Sequence, residues 1–103
     1  MKQAGIGIVI PVYNRERELR RTFDSVVAQT YRPIHVVLVD NGSTDGSLAL
    51  CRELKGAYET DDFRITVVEE AKRGPSAARN RGLACVKEEF VAFLDSDDEY
   101  IPE

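Results

Sequence analysis

A chain of 103 residues with a net charge of −4, 43% hydrophobic and 31% charged, has room for one small domain. The acidic balance sets it apart from nucleic-acid-binding surfaces, which need a basic patch, and no apolar run approaches the roughly 20 residues of a membrane span. It opens without a signal peptide, and its two cysteines, Cys51 and Cys85, fall in predicted helices without CxxC spacing, so it reads as a soluble cytoplasmic protein with a reduced, buried thiol pair.

Apolar runs alternate with helical patterns along the chain. Ile6 to Ile10 is the first predicted strand, and it turns abruptly at Pro11-Val12-Tyr13-Asn14. Glu16 to Gln29 carries Leu19, Phe23, Val26 and Val27 at i, i+4, i+7 and i+8, the stripe of an amphipathic helix. Asn14 is placed to cap that helix, and Glu16 and Glu18 fall near the positive end of its dipole. Tyr31-Arg32-Pro33 ends it. Ile34 to Val39 is apolar except for His35, as expected of a parallel strand covered on both faces, and a lone mid-strand histidine reads as a packed core residue. Asp40 to Gly46 is a dense turn segment. Ser47 to Lys55 is a second helix with Leu50, Cys51 and Leu54 inward, and Arg64 to Val68 is a third strand. Ser76 to Lys87 places Ala78, Gly82, Cys85 and Val86 on one helical face, where small residues allow close approach to a sheet. Phe90 to Leu94 is the fourth strand. The order βαβαβαβ with short connections calls for an α/β fold, a Rossmann-like parallel sheet wrapped by right-handed crossovers.

In open parallel sheets, ligands bind beyond the carboxyl ends of the strands. Pro11–Asn14, Asp40–Ser43, Lys72-Arg73-Gly74 and Asp95–Asp98 all fall there. Each has a structural alternative: a rigid exit turn, an Asx turn capping the second helix, and, for Arg79 and Arg81 around Asn80, a solvated helix face rather than a phosphate clamp. Asp95, Asp97 and Asp98 are different. Three carboxylates at the mouth of a buried strand repel and lose water, and a divalent cation with hard oxygen ligands, Mg2+ or Mn2+, removes that cost.

The segments IGIVIPVYNRERELRRTFDSVVAQTY, HVVLVDNGSTDGS, GPSAARNRGL and FVAFLDSDDEYIPE follow one another in order. Through them the chain resembles the N-terminal, nucleotide-sugar-binding portion of an inverting family 2 glycosyltransferase of the GT-A fold. The resemblance implies that residues 1–103 are the donor-binding portion without the acceptor half. It implies that Pro11, Val12 and Tyr13 enclose the nucleotide base and that Asp40 accepts a hydrogen bond from the base. Asp95, followed by Ser96, lies toward the ribose, Asp97 ligates Mn2+ or Mg2+, and Asp98 stands beside it. The helix from Gly74 to Gly82 closes over the base side. The implied donor is a UDP-sugar and the acceptor a hydroxyl on a glycan or lipid-linked molecule, at the cytoplasmic side or the inner face of the membrane. Many members carry two aspartates where this chain has Asp40-Asn41, so Asn41 removes a charge. The general base is expected beyond Glu103, so no catalytic residue is assigned, and the alternative is a nucleotide-binding module without transfer activity. A receiver domain would need acids after the first strand, where Pro11-Val12 stand, and a haloacid-type phosphatase would carry Asp-x-Asp there. A fourth strand left at an edge is expected to favour self-association.

Overall fold

The structure, a computed structural model, describes residues 5–95. β1 (Ile6–Val12), β2 (Ile34–Asp40), β3 (Phe63–Glu69) and β4 (Phe90–Phe93) form one parallel sheet in the order β3-β2-β1-β4. Helices α1 (Glu16–Val27), α2 (Ser47–Tyr58) and α3 (Pro75–Cys85) make the crossovers. The first two connections step the chain from β1 out to β3, and the third returns it to the other side of β1. That reversal puts the switch in strand order beside β1, where a crevice opens.

Strand parity divides the core. Ile8, Ile10 and Val12 of β1 join Val36 and Leu38 of β2 on the face covered by α1 and α2, and Leu19, Phe23, Val26, Cys51 and Leu54 pack against them. Phe23 anchors this layer, with ring centroids 5.6 Å from Tyr58 and 5.9 Å from Phe63. Each such fully buried side chain stabilises the fold by about 1.5–3 kcal/mol over its exposed state. On the other face Val9, Val37 and Val39 meet Ala78 of α3. There the helix lies close because Gly82 has no side chain. A Cβ at that position would come within 2.3 Å of a Val9 methyl, and one at Gly7 within 2.5 Å of Val86.

All of β2 is buried, including His35, which is 4% exposed. Its Nδ1 lies 2.9 Å from Glu88 Oε1 and its Nε2 2.7 Å from Thr66 Oγ1, so both ring nitrogens are matched, as a core histidine requires. Among the described residues, no helix is long and apolar enough to cross a membrane.

The structure corrects the sequence reading in places. β1 runs two residues further, through Pro11 and Val12, and α3 stops at Cys85, with Val86 already extended. Asn14 does not cap α1. Arg15 holds that position without a side-chain cap bond, while Asn14 adopts a left-handed backbone at φ 50°. The cysteines are free but are not a buried pair: Cys51 is buried against α1 and Cys85 is half-buried on the opposite face of the sheet. Burial first, then the nearby charge of Asp40, pushes the Cys51 thiol up to about 12, so it stays protonated.

Candidate functional site

β1 and β2 end level, Val12 opposite Asp40, and Asn41 N–H donates to the Val12 carbonyl at 2.8 Å, one step past the ladder. Both chains then turn through left-handed residues, Asn14 and Gly42, the latter at φ 83°. The two exit turns are laced together. Asn14 Oδ1 accepts from the N–H groups of Thr44 at 2.8 Å and Asp45 at 3.3 Å, and Asn14 N–H donates to Ser43 Oγ at 3.0 Å. The helix starts cap each other: Arg15 N–H reaches Ser47 Oγ, Glu16 N–H reaches Asp45 Oδ2, and Gly46 N–H reaches Glu16 Oε1. Asp45 also caps its own helix, accepting from Ser47 N–H at 2.9 Å. The Ser47 hydroxyl, chiefly, holds the Asp45 carboxyl below its ordinary range.

A third turn joins them. After β3, the Asn41 side chain donates to the carbonyls of Glu70 at 2.8 Å and Lys72 at 2.9 Å, and accepts from Gly74 N–H at 3.0 Å. On the other side, Leu94 N–H donates to the Val9 carbonyl at 3.0 Å and carries Asp95 alongside the end of β1.

Between these ends lies a cavity of about 410 Å3, in the size range of small-ligand sites. Pro11, Val12 and Tyr13 form one wall; Asn41, Arg73 and Gly74 form a second. The start of α3, with Pro75, Ala78 and Arg79, supplies a third part of the lining, and Arg15 and Asp95 complete it. The Arg73 guanidinium lies 3.7 Å from the centroid of the Tyr13 ring. Among the described residues, a net-acidic chain thus lines this cavity with three arginines and one carboxylate, together with an aromatic ring. Such a surface fits a planar ring joined to an anionic group.

The structure brings Pro11, Val12, Tyr13 and Asp95 together. Asp40 stands apart. It shares strand parity with Val36 and Leu38, faces α2, is 2% exposed and is not in the cavity wall. Its Oδ2 accepts from Ser43 N–H at 3.2 Å, completing the Asx turn, while Oδ1 has no hydrogen-bond partner. Ser96, Asp97 and Asp98 lie outside the described residues. Among the described residues, no cluster of three metal-ligating side chains occurs; Asp95 contributes one hard-oxygen group, of the type Mg2+ and Mn2+ accept. Arg79 reaches the cavity, whereas Arg81 is exposed and outside its wall. Arg15 and the ring contact of Arg73 were not singled out from sequence. Their signal was position alone, each one step from a strand-end turn.

The profile of Glycosyl transferase family 2 matches residues 7–103. The chain belongs to that family. It is 44% identical over 93 residues to Glycosyltransferase GlyA of Streptococcus pneumoniae, covering 90% of this chain and 13% of GlyA. Among solved structures, it resembles the mannosyltransferase PcManGT of Pyrobaculum calidifontis in complex with GDP-Man and Mn2+, with a TM-score of 0.84 and 30% identity over 92% of this chain and 28% of that one. It also resembles S. aureus TarS 1-349 in complex with UDP, with a TM-score of 0.80 and 28% identity over 91% of this chain and 28% of that one. This family 2 chain spans 13% to 31% of the length of the curated relatives it matches. The sheet and helices are those of the N-terminal portion of a GT-A glycosyltransferase.

Proposed function

We propose that this family 2 chain binds the nucleotide diphosphate of a sugar donor, a UDP-sugar, and that the protein containing it transfers the sugar, with inversion, to a hydroxyl of a glycan or lipid-linked acceptor. The observation that carries this reading is the cavity itself: an aromatic ring and three arginines around Asp95, at the carboxyl ends of β1, β2 and β4. TarS and PcManGT, each similar over more than nine-tenths of this chain, were solved with UDP and with GDP-Man and Mn2+.

The base lies against Tyr13 between Pro11, Val12 and Arg73, the ribose is held by Asp95 and Ser96, and Arg15 and Arg79 face the diphosphate. Asp97 holds a divalent cation, Mn2+ or Mg2+, which when bound offsets charge on the departing diphosphate as a Lewis acid. A base contact from Asp40 Oδ1 requires the turn after β2 to open, since the carboxylate is covered. Asp40→Asn keeps the shape and removes the charge; unchanged affinity would take Asp40 out of the reading.

Among the described residues, Asp95 is the one carboxylate in the cavity wall, and the ribose engages it. That favours binding without turnover as the property of these residues by themselves. Calorimetric titration of UDP, with and without Mn2+, tests the reading on the native chain and on Asp97→Ala. The expected result is binding that strengthens with Mn2+ in the native chain and loses that dependence in the variant. A folded chain that does not bind UDP would sink the proposal.

A further inference from the structure

Asn41 is 5% exposed, and its amide is fully engaged. Both Nδ2 hydrogens go to carbonyls of the turn after β3, those of Glu70 and Lys72, and Oδ1 takes the N–H of Gly74. Arg73 therefore sits between two residues pinned to one side chain. Gly74 is held at φ 126°, a backbone state that L side chains rarely adopt. The guanidinium carbon of Arg73 lies over the Tyr13 ring, 3.7 Å from its centroid, and its Cδ passes 3.6 Å from where a Cβ on Gly42 would stand.

Only an amide satisfies this arrangement. A carboxylate at position 41 has no hydrogen to give and would face two carbonyl oxygens in a buried site, leaving them unmatched. A neutral side chain there also leaves the cationic balance of the cavity to the arginines.

We propose that Asn41 is a positioning residue: it fixes the turn of residues 70–74 so that Arg73 is pre-placed on Tyr13, and it acts on nucleotide affinity through Arg73 rather than by touching the nucleotide. The affinity half of this inference rests on the nucleotide reading above; the positioning half does not.

The test uses the native chain, Asn41→Asp, Asn41→Ala, Arg73→Ala and the Asn41→Ala/Arg73→Ala double variant. NMR reads the Arg73 side-chain protons, which the Tyr13 ring displaces upfield in the native chain; Tyr13→Leu marks the undisplaced position. The backbone amide signals of β1 and β2 report that each variant is folded, and Asn41→Ser replaces either Asn41 variant that is not. The expected result is loss of the upfield displacement in the Asn41 variants. UDP affinity falls about two- to fivefold, the scale of one exposed cation–π contact, and Asn41→Ala costs nothing further once Arg73 is alanine. Retained displacement in folded Asn41 variants overturns the proposal. So does an Asn41→Ala loss of equal size in the Arg73→Ala background. Lost displacement in a chain that does not bind UDP upholds the positioning role and overturns the nucleotide reading instead.

Discussion

At the scale of single residues, Tyr13 and Arg73 carry the largest consequences. Tyr13 is 38% exposed and offers a ring face at the cavity wall, a position with little packing value. Base–aromatic stacking contributes about 1–3 kcal/mol, so Tyr13→Ala is expected to weaken UDP binding by roughly five- to 150-fold, with little effect on the melting temperature. Tyr13→Phe keeps the face and should bind almost as the native chain does. If calorimetry finds the two variants alike, stacking is not the contact. Asp40 is placed by strand alternation at this scale. It stands at the end of β2, where a ligand carboxylate was expected, but side-chain alternation turns it toward α2 and Cys51, and Asn41 takes the cavity side instead.

At the scale of elements, the closeness of α3 to the sheet depends on Gly82. Gly82→Ala drives a methyl into Val9, and an overpacked contact of this kind costs about 1–3 kcal/mol. Urea unfolding should show that loss, and Val9→Ala in the same chain should recover part of it. Additive losses would mean that the two residues do not collide. The connections also carry a pH dependence. Hydrogen bonds from the Ser47 hydroxyl to Asp45 and from Lys55 to Glu59 lower those carboxyls. At Glu88, burial works upward, but the bond and charge of His35 outweigh it, and the net shift is also downward. The folded values lie below the ordinary 3.8 and 4.5. The stability they contribute is therefore full above about pH 5 and is lost as the pH falls through the folded values. Urea midpoints should drop between pH 5.5 and 3.5, and Glu88→Gln should make the drop smaller.

For the whole molecule, among the described residues β4 pairs only with β1, and its Phe90, Val91 and Phe93 are 55%, 40% and 45% exposed. An apolar, unpaired strand edge is a template for another chain. Sedimentation of residues 1–103 is expected to show association that grows with concentration, and Phe93→Lys should reduce it. A single monomer species across all concentrations would remove this expectation. The molecule is acidic as a whole, yet the described residues of its cavity wall carry three arginines against one aspartate, a contrast that net charge hides because it averages over position.

Hydrophobic period and turn chemistry are local, so the sequence by itself determined seven elements in order, a parallel sheet, the buried stripe of Leu19, Phe23 and Val26, and a rim of polar turns at the strand ends. The motif segments determined the family. Element boundaries shifted by one to three residues; for β1 and β4, hydrogen bonds from neighbouring strands, not propensity, decide where they stop. Only the tertiary structure decided that Asn14 ties one exit turn to another instead of capping its own helix, that Cys51 and Cys85 fall on opposite faces, and that Asn41 rather than Asp40 lines the cavity. Each depends on which residues distant in the chain meet across the sheet, and the register of the strands settles that.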